Sequence, residues 1–134
     1  MSAQAGCYHE VVAELRAGRK HTHWIWFIFP QLRGLGRSGR SQFFGLQDLE
    51  ETKSYWNHPV LGVRLRECFA LLLGHDTLDA HDILDDPDDA KLRSCATLFW
   101  RATQASICDQ VLRRNFDGEE DARTVTLLTN ARDV

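Results

Sequence analysis

Residues 19–41 hold the side chains best suited to chemistry: His21, His23, Trp24, Trp26, Gln31, Arg33, Arg37, Ser38 and Arg40. Large aromatics beside guanidiniums and polar donors suit a planar, anionic ligand. The rings stack, arginine forks onto phosphate or carboxylate, and loop N–H groups cradle oxygens. Within this stretch Gly34-Leu35-Gly36-Arg37-Ser38-Gly39 spells G-x-G-x-x-G. That spelling marks a dinucleotide site only between a strand and a helix, with an acid about 20 residues later ending a second strand. Residues 48–56 read as a capped helix instead, so Gly34 and Gly36 are residues that let a basic loop turn sharply. For the aromatics alone the favoured reading is core, with Trp24, Ile25, Phe27 and Ile28 packed inside and the arginines solvated. His23 stands between polar and aromatic neighbours. Acid–base chemistry and a hydrogen bond to a buried carbonyl are both open to it.

Charge is segregated along the chain. From Leu15 to Gln47 there is no acid, whereas Arg16, Arg19, Lys20, Arg33, Arg37 and Arg40 are basic. From Glu67 to Ala90 there is no Lys or Arg, and Asp76, Asp79, Asp82, Asp85, Asp86, Asp88 and Asp89 crowd together. Two such faces either meet in the fold or focus a field on an anionic ligand. Lys91 is the first cation after the acidic run and falls in the first turns of a helix, where positive charge opposes the dipole. A functional role and a salt bridge to Asp88 are the two readings of it. His75, His81 and their aspartates match neither a zinc site nor a calcium loop, so no metal is expected.

The elements that must position these residues are helical. Val11, Val12 and Leu15 repeat at helical spacing before Gly18. Residues 22–29 are an apolar run that periodicity cannot assign, closed by Pro30. Asp48-x-x-Glu51 resembles a capping box. His58-Pro59 precedes Leu61, Leu65, Phe69 and Leu72 on one face, ended by Gly74. Asp86 with Pro87 opens a helix carrying Leu92, Cys95, Ala96, Phe99 and Trp100 inward. Ser106 opens another before Gly118, and Asp121 opens the last. A lone strand has nothing to pair with, so the expected fold is all-α: one compact multihelical domain over residues 1–134, a length that suits a single core.

A net charge of -3 argues against general nucleic-acid binding. No apolar run approaches a membrane span. Cys7, Cys68, Cys95 and Cys108 show no C-x-x-C spacing, and no signal peptide precedes Cys7, which points to a reduced cytoplasm. Cys68 and Cys95 fall inside apolar helical patterns, where a thiol acts as a small hydrophobe.

The stretches LRAGRKHTHWIWFIFPQLRGLGRS, HPVLGVRLREC and DDAKLRSCATLF resemble the three signature blocks of the DUF1810 family, also called Rv1873-like. Their order and spacing run through almost the whole chain. The resemblance implies a compact, mostly helical single domain of unknown biochemical function. It also implies a polar signature on His23, Gln31, Ser38, Lys91 and Ser94, framed by Trp24, Trp26, Phe29 and Pro30. Some members carry the label calpastatin, but an extended disordered inhibitor would be poor in tryptophan and packed helical faces. Three departures stand out. The family usually continues upstream of the stretch matching Ala3-Gln4, so either the start is misassigned or the N-terminus is short relative to the family. It often has a non-glycine at Gly39, and a serine where this chain has Cys95.

Three functions fit these residues. The first is a domain that binds a small phosphate- or nucleotide-like anion in a basic, aromatic-lined cleft, using His23, Trp24, Trp26, Gln31, Arg33, Arg37, Ser38, Lys91 and Ser94. The second is an enzyme on a phosphorylated or nucleotide-like substrate, with His23 as acid or base and Lys91 or Arg33 stabilising charge. The third is a protein-interaction module anchored by exposed aromatics. No motif specifies a cofactor. Convergence of His23, Gln31 and Lys91 in a concave pocket favours the first two, and a flat Trp24/Trp26 patch favours the third.

Overall fold

The structure, a computed structural model, describes residues 6–33 and 45–132. It is all-α: α1 Tyr8–Ala17, α2 Ile25–Ile28, α3 Leu49–Asn57, α4 Leu61–Leu73, α5 Ala80–Leu84, α6 Asp88–Thr103, α7 Ser106–Phe116 and α8 Ala122–Arg132. The apolar run 24–29 becomes a single helical turn, because Phe27 and Ile28 donate to the Trp24 carbonyl and Phe29 to that of Ile25. Strand-like pairing among the described residues is one isolated parallel bridge, Leu32 to Leu46.

Helices α4 and α6 organise the core. α6 is buried on nearly every side, through Leu92, Cys95, Ala96, Leu98 and Phe99, as expected of a central helix. It packs against α3, α5, α7 and α8, while α4 packs against α1, α2, α3 and α7. Thus α3 and α7 each touch both central helices. Aromatic contacts lock the joints: Phe29 stacks on Phe69 at 5.5 Å, and Trp56 meets Phe99 at 5.7 Å. Trp24, Ile25 and Ile28 are buried and Phe27 is half-buried against them, so these four residues belong to the core.

Several helix ends follow their local signals. Gly18 caps α1 in the left-handed region at φ 81°. The Asp48 carboxylate accepts the Glu51 N–H at 2.9 Å, but Glu51 reaches the N–H of Gln47 rather than that of Asp48, so the capping box is half made. Asp121 accepts both the N–H and the hydroxyl of Thr124.

Two starts differ from expectation. α4 begins at Leu61 rather than at Pro59, because the His58 imidazole Nδ1 accepts the N–H groups of Val60 and Leu61, both at 3.1 Å. α6 begins at Asp88, one residue past Pro87, and Asp86 does not cap it. Its early N–H groups turn to backbone instead, Asp89 to the Asp85 carbonyl and Lys91 to that of Pro87. The acidic run also contains the short helix α5, held by a reciprocal capping box between Asp79 and Asp82.

Candidate functional site

The turn after α1 is built on one carboxylate. Glu14 accepts the N–H of His21 at 2.6 Å and that of Thr22 at 3.0 Å, the Thr22 hydroxyl at 2.7 Å, and the Trp24 indole N–H at 3.1 Å. Partial burial, the largest single influence, pushes its carboxyl up, but these donors together outweigh it and hold the group below its ordinary value. The same turn carries Lys20. Its N–H donates to the Ile83 carbonyl at 2.8 Å, and its ammonium lies 5.2 Å from the Trp24 ring centroid.

Lys20 then reaches the start of α6. Its Nζ is 2.8 Å from one Asp88 oxygen, while Lys91 Nζ is 3.4 Å from the other. The side chains of Lys20 and Asp88 are only 8% and 16% exposed. The segregated charges therefore meet, as the sequence suggests. Asp88 thus divides its carboxylate between two ammonium groups. The neighbouring Asp89 is engaged by His81 at 3.0 Å, and that hydrogen bond raises the His81 pKa.

The expected site residues differ in their surroundings. His23 is exposed, in the turn that Glu14 holds. Trp24 is 1% exposed and backs Lys20 from the core, so its ring presents no open face for stacking. Gln31 is half-buried, and its carbonyl accepts the Leu46 N–H. Arg33 is exposed and donates to the Gly45 carbonyl at 3.3 Å. Lys91 has the Asp88 partner that sequence offers as its structural role. Ser94 is buried and donates to the Ala90 carbonyl one turn back. Arg37, Ser38, the three glycines of the loop and the Trp26 side chain lie outside the described residues. Sequence reading missed Lys20, whose one legible signal is its place in the acid-free stretch. It also missed Glu14, whose four donors follow within eleven residues of chain but announce themselves by no motif.

The other reactive groups are structural. Cys68 and Cys108 are buried, and desolvation pushes both thiols up to about 12. Cys95 is raised well above the ordinary value by the same cause. A thiol held protonated is a poor nucleophile. His75 Nε2 lies 2.6 Å from the Leu15 carbonyl, so this histidine, rather than His23, serves a backbone carbonyl. Among the described residues no group of three or more His, Cys, Asp or Glu side chains is placed to hold a metal. Among them, too, no helix is long and apolar enough to cross a membrane.

Fold and site define an all-α domain in which a basic turn is clamped onto the start of a central helix. The model of the family described as a protein of unknown function (DUF1810) matches residues 1–128, and the chain belongs to this family. It is similar to the crystal structure of the conserved hypothetical protein Rv1873 from Mycobacterium tuberculosis. The two are 48% identical, with a TM-score of 0.93 over 96% of this chain and 92% of that one. The search of curated proteins found no match.

Proposed function

We propose that this chain binds a small anionic ligand, phosphate- or nucleotide-like, where segment 19–24 meets the first turn of α6. The observation that carries the reading is the division of one carboxylate, Asp88, between Lys20 and Lys91. Two partly desolvated ammonium groups that share one carboxylate attract an anion more strongly than the same groups in open water. Lys91, the more exposed of the two cations, is the proposed contact. The exposed His23 supplies a further donor from the neighbouring turn. Trp24 acts from beneath, fixing Lys20 rather than stacking on the ligand.

A thermal-shift screen against nucleotides, sugar phosphates and ADP-ribose derivatives tests the reading, because a ligand of the native state raises its apparent stability. The expected result is a shift by at least one phosphorylated compound that Lys91→Ala weakens, with the unliganded melting temperature kept within a few degrees. A Lys91→Ala protein that melts earlier yet binds as before would assign Lys91 to structure alone and remove the site.

The exposed imidazole of His23 favours one second reading, catalysis on the same class of ligand with His23 as general acid or base. His23→Ala would then abolish turnover while binding persists. The interaction-module reading loses Trp24 as an anchor, since that ring is in the core.

A further inference from the structure

A cavity of about 390 Å³ opens between the start of α3 and the flank of α8, away from the Lys20–Asp88–Lys91 trio. Its volume falls within the range of small-molecule sites. Leu32, Leu49, Leu127 and Leu128 give it an apolar lining, and Arg33, Asp48 and Glu50 bring charges of both signs to it.

Each charged group retains capacity. Arg33 places Nη2 on the Gly45 carbonyl at 3.3 Å, and a guanidinium has five N–H donors. Asp48 uses Oδ1 to cap α3, leaving its second oxygen as an acceptor. Glu50 faces Lys53 at 3.6 Å in a highly exposed i,i+3 pair, an interaction weak enough to yield to a ligand.

Charge complementarity selects among ligands. A polyanion entering here would meet two carboxylates, and a simple cation would meet Arg33. A small zwitterion with an apolar side chain satisfies all three groups and the leucines together. We infer that this cavity binds such a zwitterion, the chemistry of a free hydrophobic α-amino acid. Its carboxylate faces Arg33, its ammonium faces Glu50, and its side chain lies on the leucines. The inference goes beyond the anion site and uses none of that site's three clamp residues.

Calorimetric titration of the full chain with L-phenylalanine, 3-phenylpropionate and phenethylamine tests it, since these share a ring and differ only in charged groups. The expected result is that phenylalanine binds about tenfold or more tightly than either single-charge analogue. Glu50→Gln, at an exposed position, should weaken phenylalanine while leaving phenylpropionate unchanged, and Leu127→Phe should weaken all three by filling the cavity. Equal affinity for the three compounds would overturn the inference, as would no binding of phenylalanine at millimolar concentration. A Glu50→Gln variant with unaltered preference would overturn it as well.

Discussion

Glu14 shows how one side chain can decide the shape of a candidate site. Its two oxygens gather donors from His21, Thr22 and Trp24, and so fix the turn that presents Lys20 and His23. Because its folded pKa lies below the ordinary 4.5, its contribution is complete above that pH and is lost as pH falls through the lower folded value. Glu14→Ala should cost about 2–3 kcal/mol in urea unfolding, the scale of losing hydrogen bonds to a charged group. Glu14→Gln keeps an acceptor but should flatten the acid side of the stability profile. A mutant profile that falls as steeply as the wild type would remove Glu14 from this role. His81 has the opposite sign. Its pKa is raised above 6.5 by Asp89, so whatever stability the pair adds is present below 6.5 and fades as pH rises through the folded value. The imidazole resonance of His81 should therefore titrate above 6.5 by NMR and return towards it in Asp89→Asn.

At the scale of elements, the corner between α3 and α4 is a tight joint. A Cβ on Gly62 would stand 1.9 Å from the Trp56 carbonyl oxygen, which also accepts from Arg66 at 2.9 Å. The Arg66 guanidinium lies 4.4 Å from the Trp56 ring centroid, holding the corner from the other side. Backbone cannot step aside as a flexible side chain can, so Gly62→Ala should destabilise by about 3 kcal/mol or more. A change within 1 kcal/mol, read from chemical denaturation (roughly the level of a tolerated surface change), would show that the corner can open. The elements most legible in the sequence are those with local signals: the stretch before Gly18, the Asp48 cap, the helix opening at Ser106 and the helix after Asp121. The run at 25–28 was illegible because neither strand nor helix period is visible in four apolar residues. The His58 cap was illegible because imidazole is not a common capping group and Pro59 offered a competing start. Of the candidate site, the meeting of basic and acidic segments was legible from charge. The core placement of Trp24 was legible too, as the reading its apolar run favours, whereas the Glu14 hub was not, since it depends on which way the chain folds back after Gly18.

For the whole molecule, the segregation of charge becomes a means of assembly. The acid-free stretch 15–47 and the cation-free stretch 67–90 are far apart in sequence, yet Lys20 joins them twice. Its N–H bonds the Ile83 carbonyl, and its ammonium bonds Asp88, ahead of Lys91 where cations resume. An ion pair this sheltered is screened far less than a surface pair, and breaking it from one side strands a charge away from water. A double-mutant cycle on Lys20→Met and Asp88→Asn should therefore give a coupling energy of about 1–3 kcal/mol, above the median for exposed pairs. The coupling should fall little between low and high salt. Each single change should cost more than the double change implies by addition, because each leaves a partner unbalanced. Asp88→Asn carries an extra signature, since it removes the carboxylate that Lys20 and Lys91 share and leaves two ammonium groups near each other. That variant should gain apparent stability from added phosphate, where Lys20→Met gains none. A coupling below about 0.5 kcal/mol, the usual limit of additivity for independent sites, would mean that the packing of α1 on α4 and of α5 on α6 holds the two segments together without the ion pair.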